Sequence, residues 1–82
     1  MGRKRGEDLS RGNEAKAVLN NDIYKESYKE VRKGLIELLL NTEYEEGEER
    51  DNIYMAIKAL ELVQTYMESV LTTGKFAERA SN

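Results

Sequence analysis

The segment IYMAIKALELVQTYMESV, residues 53–70, repeats apolar side chains at intervals of three and four. This spacing places the repeated side chains along one side of an α-helix. We therefore expect a long helix whose apolar stripe forms a seam with a second helix. The stripe consists of Ile53, Ala56, Leu60, Val63, Met67 and Val70.

A matching stripe lies earlier in the chain, at Tyr24, Tyr28, Val31, Leu35 and Leu38. Two such stripes separated by an acidic link predict an antiparallel two-helix hairpin. We expect one helix over about residues 22–40 and the other over about residues 43–72. The side chains expected to hold the hairpin together are Tyr24, Val31, Leu35, Leu38, Leu60, Val63 and Met67.

Helix-terminus signals set these expected bounds. Asp22 is the predicted N-cap of the first helix, and residues 42–45 match a capping box for the second. Gly47 leaves a later start near Glu48 open. Gly74 is placed to end the second helix.

Gly34 is unusual because it falls inside the first long helix. A glycine at such a position costs about 1 kcal/mol relative to alanine. It either permits the close approach of another helix or is a tolerated weak spot, and the sequence favours neither interpretation.

The remaining residues divide into three predicted segments. Residues 1–12 are charged and glycine-rich with few apolar side chains, so we expect a flexible basic arm. We expect a short helix over residues 13–20 and a C-terminal tail over residues 75–82. The predicted fold class is all-α, with residues 13–74 as the domain. Because 82 residues bury little apolar surface, we also expect an oligomer.

Some apolar residues fall outside the predicted seam. Met55, Ala59, Leu62 and Tyr66 form a second stripe on the later helix. An apolar surface broader than one partner helix requires is typical of contact with another chain. The predicted partner or oligomer interface is Met55, Ala59, Leu62, Tyr66, Tyr54, Ile36 and Leu40.

The composition argues against several classes of function. Cysteine and histidine are both absent, which excludes disulfides and thiolate metal sites and removes the usual general base. No phosphate-binding loop, nucleophile motif or metal-ligand pattern is present. The acidic residues 45–51 do not match the EF-hand spacing and are predicted to be a solvated helix start. We therefore expect no enzyme activity, cofactor or metal.

The localisation expected from the sequence is intracellular and soluble. The longest uninterrupted apolar run is Ile53–Ile57, far shorter than the roughly 20 residues that a membrane-spanning helix needs. The charged N-terminus leads into no apolar segment, so it does not match a secretory signal.

The basic arm is the candidate nucleic-acid contact, through Arg3, Lys4, Arg5 and Arg11. Clustered cations bind phosphates without reading base sequence. The net charge of −3 argues against a dedicated nucleic-acid domain. The alternatives are a solubilising terminus, or an arm that pairs with the acidic residues 43–51 of a neighbouring subunit.

A further set of features allows comparison with known sequences. These features are NEAKAVLN at residues 13–20, a long helix ending at Asn41-Thr42, Glu49-Arg50-Asp51 before the next helix, and Thr73-Gly74-Lys75 after it. Together they resemble short proteins encoded by tailed bacteriophages in head-assembly and DNA-packaging gene neighbourhoods. The resemblance covers about residues 13–78 and implies a role in virion assembly or packaging.

A small terminase subunit is one version of this resemblance, since such proteins form rings through helical hairpins. The chain lacks a helix-turn-helix ahead of its hairpin, so the resemblance does not extend to sequence-specific DNA recognition. We expect a non-enzymatic assembly protein that contacts itself or larger viral proteins, in the host cytoplasm or the virion. The alternatives are a nucleic-acid-binding accessory or regulator, and a small acidic inhibitor of a host protein.

Overall fold

The computed structural model describes residues 4–81, which form three α-helices and no strand. Helix α1 spans Arg5–Leu19, α2 spans Asp22–Leu40 and α3 spans Gly47–Ser81. The predicted all-α class is confirmed.

Helices α1 and α2 lie one after the other along α3, and both run antiparallel to it. Gly12 of α1 lies against Gly74 in the C-terminal half of α3. Nearer the middle of α3, the Tyr24 hydroxyl donates a hydrogen bond of 2.5 Å to the side-chain oxygen of Gln64. The result is a flat, elongated molecule of 57 × 30 × 14 Å. The predicted pairing of α2 with α3 is therefore only part of a three-helix arrangement.

The N-terminal segment differs from the prediction. Helix α1 begins at Arg5 and not at Asn13, so the predicted flexible arm is wrong from Arg5 to Gly12. The physical reason is that α1 packs through its backbone: Gly12 and Ala15 are buried and carry almost no side chain. A pattern of large apolar residues does not detect such a contact.

The bounds of α3 also differ. The helix begins at Gly47, close to the later start that the sequence left open, and the predicted start near residue 43 is wrong. The capping box at residues 42–45 does not form. Instead, the Thr42 hydroxyl donates to the Leu38 carbonyl at the end of α2, and the Glu46 carboxylate accepts from the Glu43 N–H.

At its C-terminal end, α3 continues through Gly74 to Ser81, so the predicted stop and the predicted tail are both wrong. Gly74 is buried in the middle of a helical segment, where the backbone of α1 packs directly against it. Gly74 therefore allows α1 and α3 to cross closely and does not end α3. Asn82 lies outside the described residues.

Helix α2 has the predicted bounds, with one difference at its cap. Asn21 is the N-cap residue, and its side-chain oxygen accepts a hydrogen bond of 2.9 Å from the Tyr24 N–H. Gly34 makes no close approach, because a Cβ atom built on it would have no neighbour within 4 Å. The interpretation of Gly34 as a tolerated weak spot therefore agrees with the structure.

The covered seam of α3 is rotated relative to the predicted one. Half-buried or buried residues recur at intervals of four and three along the helix, which is a heptad pattern. We call this set the covered seam: Ile53, Ile57, Leu60, Gln64, Met67, Leu71 and Gly74. Ala56 and Val63 were assigned to the seam, but they are exposed.

The core beneath these helices is small. Among the described residues, the buried apolar side chains are Ala15, Ile57 and Ala77, each 8% exposed. Tyr24 is half-buried, and its burial, together with the neighbouring Tyr28 and Glu68, raises the pKa of its phenol. A single chain therefore stabilises its fold with little side-chain burial.

Candidate interaction surface

Helix α3 carries a second apolar stripe, about a quarter turn from the covered seam. Its members again follow intervals of three and four, so they share one side of the helix. We call this set the open stripe: Ala56, Ala59, Val63, Tyr66 and Val70. Val63 is 57% exposed and Tyr66 is 60% exposed, whereas Val70 is half-buried.

Helix α2 contributes exposed apolar residues beside this stripe. An α-helix turns by about 100° per residue. Around the α2 axis, Val31 and Leu38 therefore lie about 80° from the middle of the side that faces α3. Around the α3 axis, Val63 lies about 75° from the covered seam. The two displacements have the same rotational sense along antiparallel helices, so they fall on the same side of the molecule. Val31 is 52% exposed and Leu38 is 58% exposed.

Together these residues define one flat apolar surface. We call it the open face, and it comprises the open stripe of α3 with Val31 and Leu38 of α2. Arg11 of α1 lies at its edge, where the guanidinium donates a hydrogen bond of 3.2 Å to the Tyr66 hydroxyl. The centre of the open face contains no charged side chain.

The opposite side of the α2–α3 pair is polar. Arg32 of α2 forms an ion pair of 3.2 Å with Glu61 of α3. Lys58 approaches the same carboxylate at 3.7 Å. The Gln64 side-chain amide also donates to Glu68 at 3.0 Å. Ion pairs between α2 and α3 therefore lie on the side opposite the open face.

The predicted interface residues are largely at the surface. Met55, Leu62, Tyr54, Leu40, Ala59 and Tyr66 are exposed, and Ile36 is half-buried. Ala59 and Tyr66 belong to the open stripe, whereas Met55 and Leu62 flank it on the side away from α2. Sequence reasoning missed Val31, Leu38, Ala56 and Val63 as interface candidates because it assigned them to the hairpin seam.

The predicted nucleic-acid contacts are spread out. Arg3 lies outside the described residues. Lys4 and Arg5 are exposed at the start of α1, next to Glu7 and Asp8 in its first turn. Arg11 is further along the helix and is held by Tyr66. Within one chain, Lys4, Arg5 and Arg11 belong to the segment that packs against the C-terminal half of α3, away from the acidic start of that helix.

The acidic start of α3 has internal structure of its own. The pKa of Glu46 is lowered, first by the Glu43 N–H that its carboxylate accepts and then by a hydrogen bond with Glu49. The pKa of Glu49 is raised by the same contact and by the charge of Glu46. Across residues 4–81, no group of three or more carboxylates is arranged to hold a metal ion.

A cleft between α1 and α3 has a volume of about 150 Å³. Its lining is mostly polar and consists of Asp8, Arg11, Tyr66, Ser69 and Thr73, together with the apolar Val70. Pockets for drug-sized ligands are typically about 300–1,000 Å³. This cleft is too small for such a ligand and follows from the crossing of the two helices.

Comparisons of the chain with protein-family models, with curated proteins and with solved structures gave no match. None of the helices in the described part of the chain is both long and apolar enough to cross a membrane.

Proposed function

We propose that this chain is a non-enzymatic assembly protein that acts by binding another protein subunit through its open face. The observation that carries the proposal is the exposure of Val31, Leu38, Val63 and Tyr66 on one side of a flat molecule. Contiguous exposed apolar surface of this kind is typical of protein–protein contact sites.

The size of the molecular surface supports the same proposal. The chain exposes 6523 Å², whereas a compact monomer of its mass would expose roughly 5,000 Å². Its radius of gyration is 17.2 Å, against about 12 Å for a compact domain of this length. A chain with this much excess surface and so small a core gains stability when another protein covers it.

The biological setting that we propose comes from the sequence resemblance. The setting is a bacteriophage head or DNA-packaging machine, in the host cytoplasm or the virion. The proposed partners are further copies of the chain or larger viral assembly proteins. The open face provides the means of contact in either case.

Photocrosslinking in the cells that naturally make the chain tests this proposal. A photoreactive amino acid is placed at Val63 or at Leu38, on the open face, and at Thr65 as a control. Thr65 is exposed, lies two residues from Val63 and points away from both stripes of α3. We expect protein adducts from Val63 and Leu38 and far fewer from Thr65. The absence of adducts from both open-face positions would contradict the proposal.

A further inference from the structure

We propose that the occupant of the open face is a second copy of this chain, packed around a two-fold axis at Val63. This inference rests on the proposed function and names the partner that it leaves open. In the resulting dimer, α3 lies antiparallel to α3 of the partner subunit, and the two open faces meet.

The spacing of the open stripe is symmetric about Val63. Ala56 and Val70 each lie seven residues from it, and Ala59 and Tyr66 lie four and three residues from it. An antiparallel pair centred on Val63 therefore places Ala56 against Val70 of the partner subunit. It also places the small Ala59 beside the partner's Tyr66, and small side chains opposite large ones pack well. A surface that joins two identical subunits about a two-fold axis must be self-complementary in this way.

The position of Val63 along α3 also suits such a pair. Helix α3 spans Gly47–Ser81, so Val63 lies within one residue of its midpoint. Two copies centred there overlap along nearly the whole helix, a length of about 52 Å at 1.5 Å per residue. A centre nearer either end would leave much of the open stripe uncovered.

The area available matches the requirement of a stable dimer. The excess surface of one chain over a compact monomer is roughly 1,500 Å². A standard interface buries roughly 800 Å² of each partner. A standard interface on the open face would therefore remove about half of this excess surface.

The charge pattern permits two identical faces to meet. The apolar residues of the open face are uncharged, and Arg11, which is hydrogen-bonded to Tyr66, lies at its edge. The charged side of each subunit, with Arg32 and Glu61, faces solvent.

Disulfide formation from single cysteines tests the axis, because the natural chain has no cysteine. A disulfide requires Cα atoms about 4.4–6.8 Å apart, so Val63→Cys can link two chains only near the proposed axis. Thr65→Cys is the matched control, since it replaces another β-branched residue on the opposite side of α3. Circular dichroism checks that both variants remain helical.

We expect Val63→Cys to form covalent dimers at least tenfold faster than Thr65→Cys at low micromolar concentration under mild oxidation. Equal rates, or a Val63→Cys variant that stays reduced, would overturn the proposed pairing. In that case, photocrosslinked adducts of a different protein at Val63 would leave the proposed function standing. The absence of adducts from both Val63 and Leu38 would remove the proposed function as well.

Discussion

Gly12 and Gly74 bring α1 and α3 into direct backbone contact. A Cβ atom added to Gly12 would lie 2.7 Å from the Cα of Gly74, and the reverse substitution gives the same distance. A Cβ atom on Gly74 would also lie 3.0 Å from the Asp8 carbonyl oxygen. Because the obstructing atoms belong to the backbone, the helices must separate to accept any larger side chain at either position.

The first prediction concerns this crossing. We expect Gly12→Ala to lower the free energy of unfolding by about 1–2 kcal/mol. Overpacking typically costs about 1–3 kcal/mol. Replacing glycine by alanine within a helix returns up to about 1 kcal/mol. Urea denaturation followed by circular dichroism measures the difference.

Gly6→Ala is the matched control, in the same helix and with no neighbour within 4 Å of the added Cβ atom. We expect this variant to be at least as stable as the natural chain, because it gains helix propensity without a clash. If Gly12→Ala proved as stable as Gly6→Ala, the close crossing would be refuted.

The second prediction concerns the contact between α2 and the middle of α3. We expect Tyr24→Phe to destabilise the chain by about 1 kcal/mol, because it removes the hydrogen bond to the half-buried Gln64. Tyr28→Phe is the control, since no hydrogen bond from the Tyr28 hydroxyl is observed in the described residues. A thermal unfolding series that ranks the two variants equally would contradict the assignment.

The sequence was sufficient to predict α2 and the helical class. Helix α2 has large apolar residues at helical spacing and Asn41 after it, and its bounds are as predicted, although its N-cap is Asn21 and not the predicted Asp22. Local signals determine these features. They also indicated that the later helix has more apolar surface than one partner helix covers.

The parts that sequence reasoning missed depend on tertiary contacts between small or polar residues. Glycine is usually unfavourable inside a helix, yet Gly12 and Gly74 each lie within one. Because neither has a side chain, the two helix backbones can touch at this point. Gln64 is another residue whose position in the covered seam depends on a tertiary contact. It is polar, and it is half-buried because Tyr24 supplies a hydrogen bond. A search for apolar repeats therefore chose Val63 in its place and assigned an exposed residue to the core.

The third prediction concerns the carboxyl groups at the start of α3. We expect Glu46 to titrate below and Glu49 above the usual pKa of a glutamate. In Glu46→Gln, the pKa of Glu49 should fall back towards its ordinary range, because the hydrogen bond to the Glu46 carboxylate and the negative charge of that carboxylate are both lost. Carboxyl carbon NMR measures both titrations. An unchanged Glu49 titration in this variant would show that the contact does not form.

The two shifts have opposite consequences for stability. The contribution of Glu46, whose pKa is lowered on folding, is present at neutral pH and is lost as the pH falls through its folded pKa. The contribution of Glu49, whose pKa is raised, is present in acid and is lost as the pH rises through its folded pKa. On acidification one contribution is lost while the other is gained, so we expect Glu46→Gln, which removes both, to change the overall acid dependence of stability little.

The fourth prediction tests self-association through the open face. We expect Val63→Glu to dissociate the dimer, because it places two like charges at the proposed axis, where they would be desolvated. Thr65→Glu carries the same charge on the opposite side of α3 and should leave the dimer intact. Circular dichroism establishes how much helix each variant retains.

Sedimentation equilibrium of the natural chain, with these two variants beside it, is the most direct measurement. We predict a mass of two 9.4 kDa chains for the natural protein and for Thr65→Glu, and a mass nearer one chain for Val63→Glu. A natural chain that has the mass of one subunit at high micromolar concentration and still unfolds cooperatively would contradict the account.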